Sequence, residues 1–201
     1  MDTDTVYLFD LGTRYLAEGE GFALVEHTLP PRALGSPLHR HANEDEFSYV
    51  IEGRLGAQLG DEVVEAGPGE LVRKPRGEEH AFWNAGDEPL RFLELISPGG
   101  FAEYFRELAP VLAAGDHARV QEVAARYALE IDFATIPALA ERHSLDVAVP
   151  ASLAAVDADL RRQPVLQMLG RRKRHRGDGR TRGDRRGDHT QPKRKTREPR
   201  A

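Results

Sequence analysis

The sequence predicts an all-β core of the barrel or sandwich type, followed by a helical extension and a disordered basic tail. Short segments with strand-like alternation recur between about residues 20 and 98, and glycine and proline turn signals separate them. From Phe101 the apolar residues recur at helical spacing instead. We therefore divide the chain into an N-terminal strand segment (1–19), a β-barrel domain (20–98), a helical extension (99–165) and a disordered basic tail (166–201).

The predicted strands follow one another at short intervals. Residues 6–9 form a short apolar piece that adds a strand either to an edge of the barrel or to a partner subunit. GFALVEHTLPP alternates and ends at a proline pair, and we interpret its His27 as structural. The remaining strands are predicted at about 38–41, 46–52, 54–59, 62–66, 70–74, 80–84 and 90–96.

Three potential metal ligands lie in the first chemistry-bearing motif, PLHRHANEDEFSYVIEG. His39 and His41 point to the same face because side chains two apart on a strand share a face. Glu46 starts the next strand, whereas Asp45 has the opposite parity and Glu44 lies in the connecting turn. This motif therefore offers two imidazoles and one carboxylate.

The second motif, GELVRKPRGEEHAFWN, adds a fourth ligand. His80 opens another strand and shares its face with Phe82. Three imidazoles and one carboxylate suit one divalent transition metal, namely Fe, Mn, Co, Ni, Cu or Zn. The chain has no cysteine, which excludes a thiolate site. A barrel interior would bring these distant strands together.

The two motifs resemble those of the cupin superfamily over about residues 20–98. The resemblance implies a jelly-roll β-barrel of antiparallel strands, with a metal held by His39, His41, Glu46 and His80. FAEYFRELAPVL and AARYALEIDF are also similar to the helical extension of small bacterial cupins of the quercetin-dioxygenase type. By resemblance to flavonol-cleaving cupins, Glu46 is expected to be the catalytic base as well as a ligand.

Strand parity also predicts the substrate pocket. If Glu46 faces the cavity, Ser48 and Val50 do so too, and we expect Phe82 and Phe92 to join them. These residues describe a mainly apolar chamber around a metal, which suits an aromatic or other organic ligand.

The opposite face of the same strand carries Phe47, Tyr49 and Ile51. Three large apolar side chains on an outer face need a cover. Either the helical extension or a second subunit would supply it, so we predict a homodimer.

The formal net charge of −5 conceals two opposed segments. Residues 171–201 hold 14 Lys and Arg against 4 Asp and Glu, whereas the rest of the chain holds 14 basic and 29 acidic residues. Residues 171–201 lack Leu, Ile, Val, Phe, Tyr and Trp, so we expect this part of the tail to be disordered and, without aromatic side chains, to bind nucleic acids only non-specifically. Docking on the acidic part of its own chain and out-of-frame translation are the alternatives.

The compartment is predicted from what the sequence lacks. The chain has no cysteine, its first residues MDTDTVYLFDLG do not form a signal peptide, and no apolar stretch reaches the length of a membrane span. We expect a cytoplasmic protein without membrane partners.

Three functions fit the predicted site. The first is a metal-dependent dioxygenase that acts on a small aromatic or flavonol-like substrate. The second is a non-oxidative isomerase, decarboxylase or lyase in which the metal is a Lewis acid. The third is a cupin that binds a small molecule without turnover. We favour oxygen chemistry, although a fold alone does not settle function.

Overall fold

Two antiparallel β-sheets dominate the computed structural model, which describes residues 5–147. The strands are β1 (Thr5–Leu8), β2 (Leu11–Glu18), β3 (Ala23–Leu29), β4 (Leu34–His41), β5 (Asp45–Glu52), β6 (Leu55–Leu59), β7 (Glu62–Ala66), β8 (Leu71–Lys74), β9 (His80–Asn84), β10 (Leu90–Ser97) and β11 (Leu129–Asp132). The helices are α1 (Glu103–Ala113), α2 (His117–Arg126) and α3 (Ile136–His143).

The strand order explains how distant motifs meet. One sheet has the order β1-β2-β3-β10-β5-β8, and the other has the order β11-β4-β9-β6-β7. Consecutive strands such as β4 and β5 therefore lie in different sheets. The expected antiparallel all-β core is confirmed, but strand pairing within residues 5–147 leaves two separate sheets rather than a closed barrel.

The predicted strands are confirmed from β3 to β10, and two further strands escaped prediction. Residues 6–9 fall largely in β1, which pairs with β2 at the edge of its own sheet. The missed β2 is buried at its start and exposed at its end, and its apolar residues do not alternate along the strand. The missed β11 follows α2 in a segment that the sequence places in the helical extension. Ala128 reverses the chain there with a φ of 50°, and pairing with β4 then stabilises a strand of only four residues.

The helical extension packs its predicted apolar stripes inward. Phe101, Phe105 and Leu108 are buried at the start and along α1, and Val120 and Val123 are buried along α2. Helix α1 contacts β1 and α2, while α2 also contacts β11. The extension therefore covers one side of the sheets near β1 and β11.

The outer face of β5 is not covered in this way. Tyr49 is 44% exposed, and Leu71, its neighbour on β8, is 58% exposed. The helices of the described chain thus do not provide the cover that we expected, and a second subunit stays a prediction.

The predicted tail lies outside the described residues. Among the helices that the structure does describe, none is long and apolar enough to cross a membrane.

Candidate metal centre

Four potential metal ligands converge between the two sheets. One ligand atom from each of His39, His41, Glu46 and His80 lies within 4.8 Å of the others, and all four residues are buried. Strands β4 and β9 supply the three imidazoles, while β5 in the opposite sheet supplies the carboxylate. Within the described residues, both sequence motifs therefore meet at one point.

Backbone carbonyls orient two of the imidazoles. The Nδ1 atom of His39 lies 2.9 Å from the Pro37 carbonyl oxygen, and the Nδ1 atom of His80 lies 3.1 Å from that of Glu78. Because a carbonyl oxygen only accepts hydrogen bonds, Nδ1 carries the proton in both rings. The Nε2 lone pairs are then available for a metal, as in most histidine metal sites.

The contacts between ligands fit a cation. The Nε2 atom of His80 lies 3.2 Å from Glu46 Oε2, and the Nε2 atom of His41 lies 3.4 Å from Glu46 Oε1. Burial lowers the pKa of His80 although Glu46 opposes the shift, and burial with the neighbouring imidazoles lowers the pKa of His39 well below its usual range. Neutral imidazoles and a carboxylate all present lone pairs, so a positive ion among them removes their mutual repulsion. The residues therefore fit a divalent transition metal.

A buried lysine, which sequence reasoning missed, holds the carboxylate ligand. Lys74 Nζ lies 3.0 Å from Glu46 Oε2 and 2.9 Å from Glu94 Oε2, and the lysine side chain is only 1% exposed. Burial alone would lower the pKa of Lys74, but the two carboxylates raise it above its usual value. Burial likewise acts to raise the pKa of Glu46, yet Lys74 and the histidines hold it well below its usual range. The pair is therefore ionised.

A cavity of about 100 Å³ adjoins these ligands. Its walls include His39, His41 and Glu46, and most of the other lining side chains are apolar. The helical extension forms one wall, with contributions from Phe101, Tyr104, Phe105, Leu108, Leu112 and Val120. The expected mainly apolar chamber beside the ligand cluster is present.

Comparison with known proteins agrees with this geometry. Residues 25–96 match the model of the Cupin domain family. The chain contains a cupin domain. Polyketide synthase CurC of Streptomyces cyaneus is 37% identical to the chain over 60 residues, which are 30% of this chain and 39% of CurC. Tetracenomycin polyketide synthase protein TcmJ of Streptomyces glaucescens is 35% identical over 60 residues, which are 30% of this chain and 40% of TcmJ.

The chain thus spans about two fifths of the length of these curated relatives. Among solved structures, KdgF from Halomonas sp. is similar with 21% identity and a TM-score of 0.42, over 44% of this chain and 79% of KdgF. A variant of the oxalate decarboxylase of Bacillus subtilis has 27% identity and a TM-score of 0.45, over 52% of this chain and 29% of the decarboxylase. The family match over residues 25–96 confirms the resemblance to cupins, whereas the narrower resemblance to quercetin dioxygenases stays a prediction.

The cupin domain places the predicted pocket residues at different depths. Phe82 lines the cavity, but Ser48, Val50 and Phe92 do not. All three are fully buried: Ser48 donates a hydrogen bond to Glu94, while Val50 and Phe92 are paired across β5 and β10 in the core. Parity gave the correct face for these residues. It could not give the depth, which depends on where the cavity ends, so a role for these three residues in substrate binding stays a prediction.

Two glutamates of the cupin domain were misjudged from the sequence. Glu44 lies in the turn before β5 as predicted, yet it is buried, and its Oε2 lies 3.6 Å from His41 Nδ1. Both atoms lack a hydrogen-bond partner among the described residues. Glu94 is not among the predicted pocket residues, although it lines the cavity. Strand alternation on β10 predicts that its side chain points inward, but glutamate residues are usually exposed.

His27 forms part of the cavity wall. Its Nδ1 lies 3.0 Å from Thr13 Oγ1, and its ring contacts Phe92 and Phe105 with centroid distances of 5.2 and 5.3 Å. Burial, assisted by Lys74, lowers the pKa of His27 to about 4, so the ring is neutral at physiological pH. These contacts agree with the structural interpretation of this residue.

Proposed function

We propose that the cupin domain is a metal-dependent dioxygenase that acts on a small, largely apolar organic substrate. The supporting observation is the buried cluster of His39, His41, Glu46 and His80 beside an apolar cavity. When bound, a divalent transition metal supplies a Lewis acid and, with Fe, Mn, Co, Ni or Cu, a redox centre for reaction with O2. Four protein ligands leave room for a substrate on a six-coordinate ion.

The surrounding side chains bind the substrate and exclude water. Phe82 from the sheet and Phe101 and Phe105 from the helical extension line the cavity together. Aromatic walls favour a flat, apolar substrate that can pack against their rings. Exclusion of water also strengthens every electrostatic interaction within the site.

The size of the cavity restricts the substrate. Pockets for drug-sized ligands usually have volumes of about 300–1,000 Å³, whereas this one has about 100 Å³. A single-ring phenol, a catechol or a short β-diketone therefore fits the site better than a flavonol.

We assign Glu46 the role of ligand rather than that of catalytic base. Its Oε2 forms an ion pair with Lys74 at 3.0 Å, and its pKa lies well below the usual range despite burial. A carboxylate stabilised in its charged form in this way accepts protons poorly. The base expected from the resemblance must then be another group.

A second candidate is non-oxidative chemistry on a ketone. The names of CurC and TcmJ connect the matched segment with polyketide synthesis, and polyketides are rich in enolisable carbonyl groups. A Lewis-acidic metal next to buried acidic and basic side chains also suits proton transfer without O2.

The test is metal reconstitution followed by measurement of oxygen uptake. The purified chain is loaded separately with Fe(II), Mn, Co, Ni, Cu or Zn and supplied with catechols, β-diketones and flavonols. We expect uptake with a redox-active metal and a one-ring substrate, both oxygen atoms of ¹⁸O₂ in the product, and no uptake by His80→Ala. Substrate conversion without O2 consumption favours the second candidate. Thermal stabilisation by a ligand without any product indicates a binding protein.

A further inference from the structure

Glu94 is a buried acidic residue of the cavity that belongs to no ligand set. It lies on β10, is 1% exposed and lines the same cavity as three of the four metal ligands. Its Oε2 accepts hydrogen bonds from Ser48 Oγ at 2.8 Å and from Lys74 Nζ at 2.9 Å. Its Oε1 has no hydrogen-bond partner among the described residues.

An unpartnered buried oxygen requires a reason. Buried polar groups in native proteins nearly always form a hydrogen bond, because an unpaired one retains the full cost of its desolvation. Ser48 and Lys74 already occupy the other oxygen, and neither reaches Oε1. Because Glu94 lines a cavity, a molecule bound there can provide the missing donor.

Charge balance distinguishes Glu94 from a simple partner of Lys74. The single ammonium group lies within 3.0 Å of two carboxylates, Glu46 and Glu94. One positive charge cannot neutralise both carboxylates, so the remaining negative charge favours protonation of one of them. Burial, opposed by Lys74 and assisted by Glu46, raises the pKa of Glu94 to about 7. Of the two carboxylates, Glu94 is therefore the one suited to exchange protons.

We propose that Glu94 is the catalytic base of the cavity and that Oε1 accepts the proton of a substrate hydroxyl or enol. In this step the substrate O–H bond breaks, its electron pair stays on the substrate oxygen, and the proton bonds to Oε1. The products are a substrate anion and a neutral Glu94. The inference rests on the proposed function and adds a substrate class, small molecules with an acidic hydroxyl group such as catechols and enolised β-diketones.

Lys74 is then a positioning residue. It holds Oε2 of Glu94 and Oε2 of Glu46 at once, which leaves Glu94 Oε1 available to the substrate. Ser48 fixes the same Oε2 from β5. These two hydrogen bonds fix Oε2 and leave Oε1 as the carboxyl oxygen without a partner among the described residues.

The test compares Glu94→Gln with Glu62→Gln in the full chain loaded with Co(II). The glutamine retains an oxygen for Ser48 and Lys74 but presents an amide in place of Oε1. Glu62 is exposed on β7 and lies outside the cavity lining, so Glu62→Gln is the matched control with the same chemical change away from the site. Catechol and 2,4-pentanedione are titrated in at pH 8, where Glu94 is ionised. The Co(II) absorption bands report binding, and calorimetry in two buffers of different ionisation enthalpy reports the protons released.

We expect the wild type and Glu62→Gln to bind a probe without net proton release, because Glu94 takes the proton. Glu94→Gln should release about one proton to the buffer and bind at least about tenfold more weakly, since it loses a hydrogen bond to a charged acceptor. Equal affinity and equal proton release in the wild type and Glu94→Gln overturn the inference, as does a cobalt-loaded wild type that binds neither probe.

A third variant keeps the inference testable if Glu94→Gln binds metal poorly. If Glu94→Gln does not take up cobalt, Glu94→Asp is titrated instead, because it keeps the carboxylate on a shorter side chain. Weaker binding without proton release then supports the inference, and unchanged affinity overturns it. Failure of the proposed function is a separate result: the probes bind as expected, yet no metal gives oxygen uptake.

Discussion

Replacement of Lys74 by methionine tests the electrostatics of the site most directly. Methionine has a similar length and leaves little empty space, but it removes the ammonium group from between Glu46 and Glu94. Lys74 is 1% exposed, so solvent does not screen its contacts at 3.0 and 2.9 Å. Its Nζ also lies 4.8 Å from the centre of the Phe82 ring, a distance at which a cation is attracted to the ring face.

The expected loss is large in the metal-free protein. Removal of one partner from a buried ion pair typically costs about 3–5 kcal/mol, because the remaining charge is buried without compensation. The whole free energy of unfolding of a domain is only about 5–15 kcal/mol. Lys74→Met apoprotein should therefore be less stable than the wild type by about 3–5 kcal/mol and still largely folded.

Metal should reduce this loss. A divalent ion at the four ligands neutralises Glu46 in place of Lys74, so the difference between the two proteins should be smaller in the loaded state. By thermodynamic linkage, Lys74→Met then gains more stability from the metal than the wild type does. Urea unfolding followed by circular dichroism, with EDTA or with excess Zn, measures both differences. A loss below about 0.5 kcal/mol without metal, the range of a neutral surface substitution, or an equal loss in both states, would refute the reasoning.

Four further predictions follow from other parts of the molecule. His80→Ala should lose metal stoichiometry and the metal-dependent rise in Tm that the wild type shows, as measured by atomic absorption and calorimetry. Glu44→Gln should keep the fold but lower metal affinity by about 10–100-fold, the usual effect of altering a residue behind a metal-bound histidine; an unchanged affinity in a competition assay with a chelator would contradict this. The pKa of Glu94, raised to about 7, gives the apoprotein a contribution to stability that is full below the usual glutamate pKa and is lost as pH rises through 7. The stability of the wild type relative to Glu94→Gln should therefore fall between pH 5 and 8, because the buried histidines are common to both proteins. Parallel pH profiles of urea unfolding would exclude the assignment. If a second subunit covers the outer face of β5, light scattering should give twice the chain mass for the wild type and a smaller mass for Tyr49→Lys. A monomeric wild type would contradict the predicted homodimer.

The metal ligands could be predicted because their arrangement is local. His39 and His41 lie two residues apart on one strand, so parity alone directs them to one point. Parity also separated Glu46 from Asp45, which instead pairs with Arg76 on the outside at 2.7 Å. The join to His80 needed the two motifs together, because no local rule places β9 beside β4.

The remainder of the site depends on register and depth, which the sequence does not encode locally. Ser48 and Glu94 face each other only because β5 and β10 pair in one particular register. Lys74 reaches Glu46 because β8 pairs with β5 so that these two residues are opposite each other. A lysine and a second glutamate are rarely buried, so residue type argued against them until their partners were known. Strand β11 was hidden for a similar reason, since its partner β4 is 90 residues away.

The pairing of β8 with β5, and of β5 with β10, couples two parts of the site through Lys74. Lys74 lies between Glu46, a metal ligand, and Glu94, a cavity residue, so a charge next to Glu46 affects the pKa of Glu94. A divalent ion bound at Glu46 neutralises that carboxylate. The positive charge of Lys74 then stabilises mainly the ionised form of Glu94. Metal should therefore lower the pKa of Glu94 and make it ionised, and ready to accept a proton, at physiological pH. If the stability of the Zn-loaded wild type relative to Zn-loaded Glu94→Gln still falls between pH 5 and 8 as we expect for the apoproteins, metal at Glu46 does not affect the pKa of Glu94, and Lys74 interacts with each carboxylate independently.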